Sequence, residues 1–117
     1  MNIESYRTYC LSKKGVTEEF PFGEGVLVYK VMGKMFALTD LETFGSINLK
    51  TDPETGEELR EKYASVQPGY HMNKKHWITV LMDGSISDKL VRQWTDASYD
   101  LVVSGLTKSQ KSALESI

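Results

Sequence analysis

"VLVYKVMGKMFALTDL", residues 26–41, reads as two strands and the turn between them. Val, Tyr and Phe suit a pleated, half-buried surface, and Met32-Gly33-Lys34 interrupts the run where the chain has to reverse. So short a connection can only join antiparallel neighbours, which makes an antiparallel sheet the nucleus of the fold. Toward the C-terminus "SINLKT" (46–51) supplies a third strand, with Ile47 and Leu49 facing one way and Asn48 and Lys50 the other. A turn at Pro68-Gly69 precedes a fourth, "HWITVLM" (76–82), closed by Asp83-Gly84. Trp77, Thr79 and Leu81 share one of its faces and Ile78, Val80 and Met82 the other; both are apolar enough to predict burial on at least one side.

Helices fill the remainder. Asn2 caps a first helix with Ile3, Tyr6, Cys10 and Leu11 at helical spacing, Lys13 and Lys14 at its negative end and Gly15 beyond. "EEFPFGEG" (18–25) then reads as a turn-rich lead into the sheet. "TDPETGEELREKY" (51–63) is a second helix, with Asp52 as cap, Pro53 in its first turn, and Leu59 and Tyr63 on one stripe; Gly56 weakens it. Ser87 followed by Asp88 starts a long helix to Val103, in which a stripe of Leu90, Trp94, Ala97 and Leu101, flanked by Val91, Ser98 and Val102, should lie across the sheet. Thr107 and Gln110 form a capping box for a last short helix. The predicted order is helix, three strands, helix, one or two strands, helices: a single two-layer α+β domain over residues 1–117, its antiparallel sheet packed with helices.

Composition bounds the function. At 117 residues and 40% hydrophobic content the chain makes one ordinary core, and no segment has the apolar length of a signal peptide or membrane span, so a cytoplasmic protein without membrane contact is expected. Cys10 has no partner cysteine for an internal disulfide. The formal net charge of −2 excludes a uniformly basic nucleic-acid binder. Charge is unevenly spread, however: Asp52, Glu54, Glu57, Glu58 and Glu61 crowd residues 52–62 against Arg60 and Lys62, whereas residues 66–82 carry Lys74 and Lys75 and no acid.

"EFPFG" (19–23), "GYHMNKKHW" (69–77) and "SYDLV" (98–102) resemble the hallmark segments of the MmcQ/YjbR family of small bacterial proteins. The resemblance spans nearly the whole chain. It implies a compact α+β fold of double-wing type, comparable with secretion-chaperone-like and CyaY-like folds, and a DNA-binding role. Gly56 and Thr107 depart from the family pattern, standing where a helix former and a proline are usual.

The residues themselves propose no catalyst. His71 and His76, five apart, would point to opposite faces of a strand and lack further ligands nearby, so no metal is expected. Cys10 sits on an apolar stripe, no serine lies in a GxSxG elbow, and Gly23-Glu24-Gly25 and Gly33-Lys34 are too short to cradle phosphate; no cofactor and no enzymatic activity are expected. Nucleic-acid binding has a physical case, because cations displace counterions from phosphates and aromatics stack on bases. Its candidate residues are Lys74, Lys75, His71, His76 and Tyr70, extended by Lys30 and Lys34 if the hairpin tip lies alongside. Protonation of the histidines would strengthen such a site as pH falls. Two other readings stand beside it. The stretch also reads as a rigid turn with two solvated lysines, and the domain as a protein- or small-ligand-binding module with Met32, Met35, Met72 and Met82 as adaptable lining.

Overall fold

Two consecutive residues in the left-handed region seed the sheet. Met32 (φ 50°) and Gly33 (φ 78°) connect Val31 directly to its cross-strand partner Lys34, the two-residue turn whose twist matches that of the strands it joins. The computed structural model describes residues 1–69 and 72–117. In chain order the elements are α1 (Ile3–Leu11), β1 (Val16–Glu19), β2 (Val26–Val31), β3 (Lys34–Asp40), β4 (Ser46–Lys50), α2 (Pro53–Lys62), β5 (Val66–Pro68), β6 (Trp77–Leu81), α3 (Asp88–Ser104) and α4 (Lys108–Glu115). The strands form one antiparallel sheet in the order β1-β2-β3-β4-β6-β5.

Register explains which side chains meet the helices. Leu27, Tyr29 and Val31 alternate with Val28 and Lys30 along β2, and Ile47, Leu49, Ile78 and Val80 continue the inner face across β4 and β6. Between the pairs Tyr29↔Ala37 and Lys30↔Met35 the register slips, leaving Phe36 as an extra residue in β3. This bulge turns both Phe36 and Ala37 inward, and both are fully buried. Tyr6 and Cys10 of α1 and Val91 and Val102 of α3 close the same core.

Hydroxyl groups hold the helices to the sheet. Pairing of β3 with β4 stops at Ala37↔Leu49, and Ser98 fills the gap beyond it: its Oγ accepts from the Lys50 N–H (2.8 Å) and donates to the Phe36 carbonyl (2.5 Å). Thr95 Oγ1 donates to the Val91 carbonyl one turn back and lies 3.0 Å from the Tyr6 hydroxyl. These two polar residues displace the expected α3 stripe. Val91, Thr95, Ser98 and Val102 are buried, Leu90, Trp94 and Leu101 lie on the flank, and Ala97 faces solvent.

Four strands precede α2 where the sequence predicts three. Residues 16–19, of which 18 and 19 were expected in a turn, pair along β2 as an edge strand. Such a strand is held by its ladder and by Arg7 of α1, whose guanidinium binds the Glu18 carboxylate, so it needs little apolar character of its own. The caps fall where expected: Asn2, Asp52, Ser87 and Thr107 each accept a first-turn N–H. No helix among the described residues is long and apolar enough to cross a membrane.

Candidate functional site

Both sides of the candidate site arise from local backbone needs. On one side, Asp52 accepts from the Thr55 N–H (2.9 Å) and Pro53 opens α2, whose last turn carries Arg60. Gly56 lies one turn before Arg60 and is buried; a Cβ there would stand 2.9 Å from the Thr51 Cγ2 and 3.3 Å from the Arg60 Nη1. The missing side chain lets α2 sit close to the sheet and lets the guanidinium lie back along the helix. This accounts for a glycine in mid-helix despite its cost of about 1 kcal/mol relative to alanine.

On the other side, β5 ends at Pro68, and the Gly69 N–H donates to the Trp77 carbonyl (3.1 Å). A Cβ on Gly69 would come within 2.8 Å of the Trp77 Cβ and 3.1 Å of its carbonyl oxygen, so the backbones are in contact there. The chain then turns on Asn73. Its side-chain Oδ1 accepts from the Lys75 N–H (2.9 Å) and its carbonyl from the His76 N–H (3.1 Å). The His76 carbonyl in turn accepts from the Thr51 N–H (2.8 Å), which anchors the loop to the start of α2.

Between these sides opens a cleft of about 550 Å³, lined by Pro53, Glu57, Arg60, Pro68, Lys74 and Lys75. Among the described residues, three cations and one carboxylate line it. Both lysines are exposed, whereas Arg60 is half-buried and its Nη1 is shielded from solvent with no hydrogen-bond partner among the described residues. A buried guanidinium nitrogen without an acceptor is costly.

The other predicted residues are distributed differently. Val31↔Lys34 and Lys50↔Trp77 put the β2–β3 tip and the lysine loop at the same end of the sheet. Three strand intervals lie between them, about 14 Å at the usual spacing. Lys30 is held by Glu19 at 3.4 Å, and Lys34 is exposed at the tip; neither lines the cleft. His76 is exposed at the end of the loop, Trp77 is buried, and Tyr70 and His71 lie outside the described residues. Arg60 was the residue missed from sequence, where it is one cation in an acid-rich helix; only the packing of α2 beside the loop joins it to Lys74 and Lys75.

Elsewhere charges are spent locally. Arg7 pairs with Glu18, and Lys13 pairs with Asp96. At the turn after β6 the Asp83 carboxylate accepts from the Ser85 hydroxyl (2.6 Å), the Ser85 N–H (2.9 Å) and the Ser65 hydroxyl (2.7 Å), and these bonds hold its pKa down to about 2. Burial pushes the Cys10 thiol up to about 12, which suits a core side chain and not a nucleophile. No group of three or more His, Cys, Asp or Glu among the described residues could hold a metal ion.

Comparison with known proteins agrees with this architecture. The YjbR family model matches residues 11–101. The chain is 46% identical over 90 residues to the uncharacterized protein YbdF of Escherichia coli O157:H7, covering 76% of this chain and 74% of that protein. It is 34% identical over 115 residues to the uncharacterized protein YjbR of Escherichia coli K12, covering 97% and 98%. Among solved structures, the Deinococcus radiodurans protein DR2400 superposes with a TM-score of 0.89 at 40% identity, over 97% of this chain and 88% of that one. A Pseudomonas syringae protein does so with a TM-score of 0.72 at 30% identity, over 86% and 98%. With the family match spanning the sheet and the central helix, and a relative aligned nearly end to end, the chain belongs to the YjbR family.

Proposed function

We propose that the protein binds nucleic acid weakly and without catalysis, holding the phosphate backbone in the cleft formed by Arg60, Lys74 and Lys75. The observation that carries this reading is the convergence of those three cations on one concave surface, whose lining among the described residues includes one carboxylate, Glu57. Arg60 supplies a guanidinium pre-positioned by the helix, and the exposed lysines supply charge at the rim. The cations that line the cleft among the described residues suit phosphate oxygens, so the contact is to backbone and not to base edges, and binding is independent of sequence. A molecule of net charge −2 does not attract DNA from a distance, which keeps the affinity low.

A gel-retardation titration against salt tests the reading. With three phosphate contacts the log–log slope is expected near −2.7, that is about −0.9 for each neutralised phosphate. The double substitution Lys74→Glu, Lys75→Glu abolishes retardation, and Arg60→Gln weakens it, while the melting temperature of the charge-reversed protein stays unchanged. Retardation that survives the double substitution rejects the site.

A further inference from the structure

We propose that the sheet face turned away from the helices binds a small, flat, uncharged aromatic molecule in a cleft between the Phe22 loop and the turn carrying Met72. The inference goes beyond nucleic-acid binding and uses none of its cations. Cross-strand pairing runs Val28–Leu38–Asn48–Thr79 along this outer face, and Val28, Leu38 and Thr79 are buried although no helix among the described residues packs on this face. Two loops reach over it from opposite sides of the sheet, one through Phe22 and the other through Met72. Between them lies a cleft of about 460 Å³, within the range of pockets that hold small organic ligands.

The lining states what would fit. Phe22, Val26, Leu38 and Met72 are its apolar walls. Phe22 is 60% exposed, so a phenyl ring stands over the cleft with much of its surface in water. A planar ring slotted against it and against the polarizable Met72 thioether would recover that area. Polar groups sit on the floor. Asn48 accepts from the Thr79 hydroxyl (2.6 Å) through Oδ1, and no hydrogen bond of its NH₂ or of the Ser46 hydroxyl occurs among the described residues. Both are β4 residues on one face, two apart, and both can donate to a ligand's acceptors.

Asp40 decides the charge of the ligand. Its carboxylate lies in the cleft wall and accepts from the Thr43 N–H and hydroxyl, the Gly45 N–H and the Ser46 N–H. Those four donors use the lone-pair directions a carboxylate has, so no directed bond remains for a cation. Its negative charge nevertheless repels an anion. A neutral molecule with an acceptor at one edge satisfies both conditions.

Titration with 6-propionyl-2-(dimethylamino)naphthalene, a flat, neutral aromatic probe with one carbonyl acceptor that brightens in apolar surroundings, tests the proposal on the intact chain. Saturable enhancement with one probe per chain is expected, with Kd on the order of micromolar to tens of micromolar. Phe22→Ala and Met72→Ala, both at the cleft rim, should each weaken it by about tenfold. Amide shifts should concentrate at Val26, Leu38 and Asn48, and Lys74→Glu, Lys75→Glu should leave probe affinity unchanged. The sulfonated anionic analogue should bind more weakly than the neutral probe. Absence of saturable binding, full affinity in Phe22→Ala, equal affinity for the anionic analogue, or shifts centred instead on Leu59, Trp94 and Leu101 between α2 and α3 would each overturn the proposal.

Discussion

Ser98 satisfies two backbone groups with a single hydroxyl, the buried Phe36 carbonyl and the part-buried Lys50 N–H, one from each of two strands that have stopped pairing. Ser98→Ala keeps helix propensity and volume nearly intact but strips the Lys50 N–H and the Phe36 carbonyl of their partner. Unsatisfied buried groups cost about 1–3 kcal/mol each, so a loss of about 2–4 kcal/mol is expected, read as a lower urea midpoint at unchanged slope. At this scale sequence is a partial guide. Ser98 stood beside the predicted apolar stripe, yet nothing in residues 87–103 announces that β3 bulges opposite it. Thr95 was passed over for the same reason: a hydroxyl counts as polar until its acceptors are known. Arg60 shows the limit from the other direction, because its partners Lys74 and Lys75 are neighbours only after α2 and the loop have docked.

Among the elements, the loop between β5 and β6 is fixed by its first residue. Gly69→Ala drives a methyl into the backbone of Trp77, and since no flexible side-chain end is available to yield, the cost is set by displacing the loop. A destabilisation of about 1–3 kcal/mol is expected from such overpacking, together with loss of nucleic-acid retardation because Lys74 and Lys75 move with the chain. Thermal melting and the salt titration on the same variant check both halves. The hairpin of β2 and β3 was legible because turn chemistry, alternation and residue type all agree there. So were the four helix caps, which depend on residues within one turn. Edge strand β1 was not legible, because Val16–Glu19 contributes a ladder and little buried surface, and a ladder leaves no mark on residue type.

For the whole molecule, acidity is the condition that tests the electrostatics. Asp83 links the turn after β6 to Ser65 at the start of β5, and its hydrogen bonds hold the folded-state pKa near 2, below the ordinary carboxylate value. A depressed carboxylate stabilises the fold fully above its unfolded pKa and loses that contribution as pH falls toward the folded value. The melting temperature is therefore expected to drop between about pH 4 and about pH 2, and Asp83→Asn should flatten part of that slope. The fold class was readable at this scale from the alternation of strand and helix patterns, whereas the candidate cleft was not, since the lysines were matched with the wrong cations across about three strand spacings. The Ser98 bridge has a last consequence. The Lys50 amide is bonded to a helix and not to the neighbouring strand, so in heavy water its deuterium uptake should report the breathing of α3 away from the sheet, and Ser98→Ala should accelerate that one amide selectively over those that stay paired between β4 and β6.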